Sequence, residues 1–209
     1  KNFIFSSTAA VYGNSNLSVH EKSHTKPLAP YGHSKLKFEK FLEKSNKDIN
    51  YVILRYFNVA GVEKKMRSGF KIKNNRSLFS NLCKSYLNGK KFYVFGKNFN
   101  TKDGTAVRDF IYISDLVEIH YLFSIDMMKK KIRSIFNCGY GYGFSVMDII
   151  RELKRLSKKR LNYVFKNKRK NDIAYSVAKT IKLNKIYYTK FKSNRLSLML
   201  KTSILWYKR

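Results

Sequence analysis

Asn2-Phe3-Ile4-Phe5-Ser6-Ser7-Thr8 is an apolar run that ends in three consecutive hydroxyl side chains. The apolar part is typical of a short buried strand. A second run at residues 51–57, Tyr-Val-Ile-Leu-Arg-Tyr-Phe, is rich in β-branched and aromatic residues and predicts another buried strand. A helix is predicted between the two, from about Tyr31 to Glu43. Strands that alternate with helices in this way indicate an α/β fold with a mainly parallel sheet.

The same alternation continues along the chain. Further helices are predicted at 77–88, 114–129, 145–158 and 194–207, and further strands at 92–95, 109–113, 134–138 and 161–165. A loop is expected at 62–76, and Ser145 is placed to cap the helix that follows it. Because open α/β sheets bind ligands at the carboxyl ends of their strands, we expect the hydroxyl cluster Ser6–Thr8 to face a ligand.

The composition excludes several classes of protein. The chain has 209 residues, of which 44% are hydrophobic and 15% aromatic, too many for an intrinsically disordered protein. No apolar run approaches the roughly 20 residues of a membrane-spanning helix, so we expect no membrane association. Cys83 and Cys138 have neither metal-ligand spacing nor the pattern of a disulfide framework. They predict no metal site and favour the reducing cytoplasm.

The charge is strongly positive. The chain has 44 Lys and Arg against 13 Asp and Glu, a formal net charge of +31, which by itself favours nucleic-acid binding. Residues 151–209 hold 19 of the basic residues and only two acids, Glu152 and Asp172. No helix-turn-helix, zinc-finger or RNA-binding signature accompanies the charge. We therefore interpret it as a solvated basic surface and expect no specific nucleic-acid partner.

Tyr31-Gly-His-Ser-Lys35 carries the clearest chemistry. Residues four apart share a helix face, so the Tyr31 phenol and the Lys35 ammonium point the same way. A nearby cation favours the phenolate, the form of Tyr31 that can act as a general base. A half-buried tyrosine beside a solvated lysine gives the same spacing, so the pair alone leaves both interpretations open. The Thr8 hydroxyl could form a hydrogen bond with the substrate oxygen that Tyr31 deprotonates, or it could only cap the end of its strand.

Three segments, taken in order, resemble the extended short-chain dehydrogenase/reductase family. They are Phe-Ile-Phe-Ser-Ser-Thr-Ala-Ala-Val-Tyr-Gly at 3–13, Pro-Tyr-Gly-His-Ser-Lys at 30–35 and Leu-Arg-Tyr-Phe-Asn-Val-Ala-Gly at 54–61. Within that family, Thr-Lys-Asp-Gly-Thr-Ala-Val-Arg-Asp-Phe-Ile at 101–111 closely resembles the stretch typical of the UDP-glucose 4-epimerases. The resemblance runs from residue 3 to about residue 180. It implies a partial Rossmann-like, doubly wound parallel sheet with a smaller α/β substrate domain.

The resemblance also implies a division of the chain. Residues 1–61 correspond to the second half of an NAD-binding Rossmann domain, to which the strands near 110 and 136 return. Residues 62–209 correspond to a nucleotide-sugar-binding domain. The Gly-x-x-Gly-x-x-Gly phosphate loop of the family lies upstream of the Ser/Thr strand and does not occur in these 209 residues, so we expect the front of the protein to be missing. Gly139-Tyr-Gly-Tyr-Gly143 has the wrong glycine spacing for that loop, and we interpret it as structural.

Residues near the reaction receive roles by the same resemblance. Thr8 stands where the family has its catalytic Ser or Thr, and Tyr31 stands where it has the catalytic base. Lys35 stands where the family binds the nicotinamide ribose and tunes that tyrosine. All three therefore also count as NAD contacts, together with Phe57, which matches a residue that touches the cofactor.

The resemblance further assigns substrate contacts. The matching positions are Asn58, Ser77, Tyr93, Phe95, Arg108, Arg169, Asp172 and Ser176. Arg108 and Arg169 correspond to two arginines that hold the diphosphate, a role suited to a fork of charged donors. Phe95 and the backbone of Tyr93 correspond to the uracil pocket.

The remaining substrate positions include one departure from the family. Asn58 matches a residue near the sugar and diphosphate, and Asp172 matches an acid at the nucleotide ribose. Ser77 replaces a diphosphate-contacting asparagine. Ser176 stands where the family has a sugar-pocket gatekeeper, and a small residue there is typical of enzymes that admit N-acetylated sugars.

The implied activity is interconversion of UDP-galactose and UDP-glucose, and of their N-acetylated analogues, by transient oxidation at C4 with bound NAD. We expect a cytoplasmic enzyme and a homodimer. Two alternatives stay open. One is another nucleotide-sugar epimerase or decarboxylase of the same family. The other is a non-catalytic basic fragment that binds polyanions.

Overall fold

The computed structural model describes residues 1–70, 77–157, 159–187 and 196–209. It contains β1 (Asn2–Thr8), a 3-10 turn (Ala9–Val11), α1 (Pro30–Lys44), β2 (Asn50–Tyr56), β3 (Asn58–Ala60), α2 (Leu78–Leu87), β4 (Phe92–Phe95), β5 (Val107–Tyr112), α3 (Ile113–Lys129), β6 (Arg133–Cys138), β7 (Gly143–Ser145), α4 (Val146–Leu156), β8 (Tyr163–Lys166), β9 (Tyr175–Ser176), α5 (Ile181–Tyr187) and α6 (Leu196–Tyr207). The fold class predicted from the sequence, α/β with parallel sheets, is confirmed.

A parallel sheet in the order β1-β2-β6 forms the first half of the fold. Residues Asn50–Arg55 of the central β2 are all buried, because α1 covers one face of the sheet and α3 the other. Strand β1 lies at the edge of the described sheet, and much of it is exposed. The alternation predicted from the sequence therefore gives the expected β–α–β unit.

A second sheet lies beside the first, in which β5 pairs with β3, β7 and β9. Strands β4 and β8 form a separate parallel pair. Of the two strands expected to return to the first domain, β6 pairs with β2 in the first sheet, whereas β5 pairs in the second sheet. This pairing arises because β3 follows β2 after a single residue and hydrogen-bonds to β5.

The main hydrophobic core lies between the two sheets and the helices α2, α3, α4 and α6. Its largest completely buried side chains include Tyr112, Phe123 and Leu82. Ser145 caps α4 as predicted, and with Asp148 it forms a reciprocal capping box. No helix among the described residues combines the length and apolarity that a bilayer crossing requires.

Helix and strand limits agree with the predictions to within two or three residues. The sequence pattern missed β3, β7, β9 and α5, which are short. Three parts of the predictions lie outside the described residues: 71–76 of the predicted loop, 158 of the predicted helix at 145–158, and 194–195 of the last predicted helix.

Candidate active site

Three strands of the first sheet end side by side. Thr8 of β1 is in register with Tyr56 of β2, and Tyr56 is in register with Cys138 of β6. Ser6 and Thr8 therefore lie at the carboxyl edge of the sheet as predicted, whereas Ser7 is buried and cannot face a ligand. Thr8 also accepts a hydrogen bond of 3.2 Å from the Ala10 backbone N–H, so it caps the 3-10 turn that follows.

Helix α1 brings Tyr31 and Lys35 to this edge. Pro30 is at its first position, where a missing N–H and a fixed φ favour helix initiation. Lys35 Nζ donates a 2.8 Å hydrogen bond to the Ser6 carbonyl and lies 5.9 Å from the centroid of the Tyr31 ring. The Tyr31 side chain is exposed, so its phenol is accessible to a ligand.

Gly32 allows α1 to approach the end of β1. A Cβ at this position would lie 2.8 Å from the Ala10 carbonyl oxygen and 2.8 Å from the Pro27 Cβ. Both distances are too short for a real side-chain carbon, so any other residue would push the helix away. This close approach places the first turn of α1, with Tyr31, against the turn capped by Thr8.

Tyr56 and His120 support the same edge from the other side. The Tyr56 hydroxyl is 2.6 Å from Ser6 Oγ and 2.5 Å from His120 Nε2. His120 Nδ1 is 2.8 Å from the Leu116 carbonyl. Burial raises the pKa of the Tyr56 phenol, so it stays protonated near neutral pH and serves as a hydrogen-bonding group. Neither residue was predicted from the sequence as part of the site, because the two are 64 positions apart.

The segment after β2 links this edge to a cleft. Phe57 is buried and packs with Val11 and Tyr12 below the 3-10 turn. Asn58, the next residue, is exposed and lines the cleft. One short stretch of chain therefore joins the two groups of predicted site residues.

The cleft has a volume of about 250 Å³. It is lined by Asn58, Leu78, Asn81, Phe92, Tyr93, Val94, Phe95, Ala106, Arg108, Phe110, Val146, Arg169 and Asp172. Six of these residues were predicted from the sequence as substrate contacts. Asn81 was not, although it lies one turn after the position where an asparagine was expected.

Arg108 and Asp172 form an ion pair on the cleft wall. Arg108 Nη2 donates a 2.8 Å hydrogen bond to Asp172 Oδ1, and Nη1 donates one of 2.9 Å to the Val107 carbonyl. Burial lowers the pKa of the Arg108 guanidinium, and the Asp172 carboxylate partly offsets this effect. A desolvated guanidinium beside a cleft is well suited to bind an anion.

Arg169 lies on an aromatic ring in the same cleft. Its guanidinium carbon is 4.0 Å from the centroid of Phe95, a cation–π contact. Tyr93 is exposed two residues earlier on β4, and Lys166 Nζ lies 5.5 Å from its ring centroid. The cleft therefore combines an aromatic strand with two arginines.

Two predicted substrate residues lie outside the lining of this cleft. Ser77 caps α2, where its hydroxyl accepts a hydrogen bond of 3.2 Å from the Ser80 backbone N–H. Ser176 is half-buried on β9, in register with Arg108 of β5. It is therefore next to the cleft without lining it.

The glycine-containing loop at 139–143 has a structural role. The backbone N–H groups of Tyr140 and Gly141 each donate a 2.9 Å hydrogen bond to the buried Asp109 carboxylate. A third comes from the N–H of Ala178. Since these donors are occupied by a carboxylate of the same chain, the loop does not present them to a phosphate.

Comparison with known proteins identifies the family of the chain. The profile of the NAD dependent epimerase/dehydratase family matches residues 1–139. The UDP-glucose 4-epimerase of Lactobacillus helveticus is 34% identical over 212 aligned positions, which cover 100% of this chain. The chain spans 64% of the length of that relative, less than two thirds.

Solved structures of UDP-glucose 4-epimerases are also similar to the chain. The UDP-glucose 4-epimerase of Stenotrophomonas maltophila, with bound NAD and formylated UDP-arabinopyranose, superposes with a TM-score of 0.91 at 29% identity, covering 100% of this chain and 63% of that one. The UDP-glucose 4-epimerase of Bifidobacterium longum, in complex with NAD+ and UDP, has a TM-score of 0.86 at 31% identity, covering 100% and 64%.

Proposed function

Because the chain belongs to the NAD dependent epimerase/dehydratase family, we propose that it acts as a UDP-glucose 4-epimerase, interconverting UDP-galactose and UDP-glucose. The observation that carries the proposal is the continuity of the two sites through Phe57 and Asn58. An acid–base cluster lies at one end of this segment, and a cleft with two arginines and aromatic rings lies at the other.

The residues at the sheet edge fit the nicotinamide-ribose end of NAD. Hydroxyls, a phenol and an ammonium converge where parallel strands end, and open α/β sheets bind dinucleotides there. Thr8, Tyr31, Lys35 and Phe57 would hold that end. The loop at 139–143 does not fit the pyrophosphate, because its amides are bonded to Asp109. When bound, NAD would supply a hydride acceptor and donor at C4 of the sugar.

Tyr31 and Thr8 would perform the proton chemistry. The exposed Tyr31 phenol, as phenolate, would take the proton of the sugar 4-hydroxyl and later return it. The Thr8 hydroxyl would form a hydrogen bond with the same sugar oxygen. Lys35 is held by the Ser6 carbonyl and would keep a positive charge beside the phenolate.

The cleft would bind the nucleotide diphosphate. The uracil would lie against Phe95 and the backbone of Tyr93, and Arg108 and Arg169 would neutralise the diphosphate. Asp172 would accept hydrogen bonds from the ribose hydroxyls, and Asn58 would contact the sugar end. Ser77 would contact the diphosphate. Ser176 would set the size of the sugar pocket.

We test the proposal first by titrating the 209-residue chain with UDP in a calorimeter, and then by incubating the natural protein, isolated from its source, with a substrate panel. UDP binding and conversion of UDP-galactose to UDP-glucose are expected. If UDP-glucuronate is the only substrate converted, the protein is another nucleotide-sugar epimerase or decarboxylase of the same family. Salt-dependent binding of random DNA, with no UDP binding and no turnover, would indicate the polyanion-binding alternative.

The small Ser176 side chain supports a further extension of the substrate range to N-acetylated sugars. UDP-N-acetylgalactosamine is therefore included in the panel. Conversion of UDP-galactose with no conversion of the N-acetylated sugar would contradict this extension and leave the main proposal intact.

A homodimer in the cytoplasm completes the proposal. The exposed Phe38 and Phe41 on α1 support an interface there, and light scattering after gel filtration would measure the mass. Cys83 and Cys138 are both free and buried, which supports a reducing compartment.

A further inference from the structure

Glu39 and Arg55 form an ion pair that is almost completely enclosed. Their side chains are 1% and 4% exposed, and Arg55 Nη2 is 2.6 Å from Glu39 Oε2. Arg55 Nε also donates to both carboxylate oxygens, at 3.1 and 3.2 Å. Burial lowers the pKa of Arg55, but the hydrogen bonds and charge of Glu39 outweigh it, so the pKa lies above its ordinary value. The Arg55 guanidinium is therefore charged in the folded protein.

The remaining contacts of the pair reach the neighbouring elements. Ser7 of β1 donates a short hydrogen bond from its hydroxyl to Glu39. Arg55 Nη1 donates to the Tyr12 hydroxyl at 2.9 Å and to the Glu21 carbonyl at 3.0 Å. The Tyr12 hydroxyl in turn donates to Asn137 of β6 at 2.6 Å. One buried network thus joins α1 to all three strands of the first sheet.

The pair lies directly beneath the reaction residues. Glu39 is one turn after Lys35 and two turns after Tyr31 on the same face of α1. Its partner Ser7 immediately precedes Thr8 on β1. The network therefore holds the helix that carries Tyr31 and the strand residue that precedes Thr8. It is not part of the cleft.

Stability alone is a poor explanation for such a pair. The cost of removing two charges from water cancels much of their attraction, and well-packed apolar residues are often as stable. The hydrophobic effect, however, is non-directional and by itself does not select one orientation of a helix on a sheet. A bidentate guanidinium–carboxylate pair has a fixed geometry. What the pair adds is therefore the exact placement of α1 relative to β1 and β2.

We propose that Glu39 and Arg55 are positioning residues, which set the rotation and axial position of α1 so that Tyr31 and Lys35 face Thr8. This inference rests on the proposed function, because it assigns the pair a task in that reaction. Neither residue is placed in contact with substrate or cofactor.

The experiment uses variants of the natural protein. Glu39→Gln leaves a buried guanidinium without its counter-charge, and misfolding would make it uninformative. The triple variant Ser7→Ala, Glu39→Leu, Arg55→Met instead replaces the charges and the hydroxyl by apolar groups of similar size. We expect it to fold and to keep the UDP affinity of the wild type, with kcat at least tenfold lower and KM unchanged. Glu43→Gln, on the exposed side of the same helix, is the matched control and should have wild-type kcat.

Ser7→Ala alone provides a second variant, since it removes one hydrogen bond to Glu39 and leaves the charges in place. We expect kcat to fall severalfold at unchanged melting temperature and KM. A triple variant that folds and retains kcat within twofold of the wild type would overturn the inference. If the triple variant fails to fold, an unchanged kcat in Ser7→Ala would overturn it. Failure of the wild type itself to turn over any UDP-sugar would contradict the proposed function, and the positioning role would be rejected with it.

Discussion

Arg108 donates a 2.8 Å hydrogen bond to the carboxylate of Asp172, which lies 64 residues further along the chain. This pair holds the segment after β8 against β5 on the wall of the cleft. Arg169 lies three residues before Asp172 and is thereby brought onto the ring of Phe95. Two arginines that are distant in sequence consequently line one cleft with an aromatic strand.

Arg169→Ala should weaken UDP binding by roughly 10- to 100-fold, because a hydrogen bond to a charged group contributes about 1.5–3 kcal/mol. Isothermal titration of the chain with UDP measures the effect. Arg160→Ala removes an exposed positive charge outside the cleft and should leave the affinity unchanged. An equal loss in both variants would indicate attraction by the net charge rather than a site.

Tyr31→Phe should lower kcat of the natural protein by about 10²- to 10⁴-fold, the usual contribution of a general acid–base group. UDP affinity should be preserved, since the phenol lies outside the cleft proposed to bind the nucleotide. A coupled assay of UDP-galactose conversion measures the rate. Tyr121→Phe, which removes an exposed phenol from α3, is the control. Near-normal turnover in Tyr31→Phe would refute the assignment of the base.

Gly32→Ala should lower the free energy of unfolding by about 1–3 kcal/mol, the usual cost of overpacking. The added Cβ would lie 2.8 Å from the Ala10 carbonyl oxygen, so the first turn of α1 must shift. Urea unfolding measures the change, and kcat should fall with it because Tyr31 moves. Ser34→Ala, on the exposed side of the same turn, should have little effect. Unchanged stability and kcat in Gly32→Ala would show that the first turn of α1 does not lie in close contact with the Ala10 carbonyl.

Asp103→Asn should destabilise the chain at pH 7 by about 1 kcal/mol. Burial raises the pKa of Asp103, but hydrogen bonds from Ser145 and Thr105 and the charge of Arg151 outweigh it, so the pKa lies below its ordinary value. A carboxyl with a lowered pKa contributes stability above its unfolded pKa and loses it as pH falls through the folded value.

The difference between wild type and Asp103→Asn should therefore narrow below about pH 4. Urea unfolding from pH 7 to pH 3 measures it, with the exposed Asp48→Asn as control. A difference that stays constant over this range would contradict the contribution of the Asp103 charge.

The sequence predicted local elements and missed long-range polar contacts, for a physical reason. Strands such as β2 and helices such as α1 have a hydrophobic period that is visible in a single segment. Arg55 is a charged residue inside the apolar strand β2, and its buried partner was not predicted from the sequence. Only the folded chain shows that this partner is Glu39, because the pairing depends on how α1 packs on the sheet.

The short strands escaped prediction for a related reason. β7 and β9 each have three residues or fewer and exist because they pair with β5. The motif Gly139–Gly143 was interpreted correctly, since wrong glycine spacing already argued against a phosphate loop. The hydrogen-bond partner of this loop is Asp109, which belongs to the segment at 101–111 that carried the family resemblance. The match of the family profile to residues 1–139 confirms that resemblance.

The central claim, reversible oxidation at C4 of the sugar, is tested most directly with UDP-galactose that carries deuterium at C4. The natural protein is incubated with this substrate in ordinary water, without an added electron acceptor. The account predicts UDP-glucose that retains the deuterium at C4, because hydride leaves and returns within one site. Absence of conversion, or a product whose C4 deuterium has exchanged with water, would contradict it.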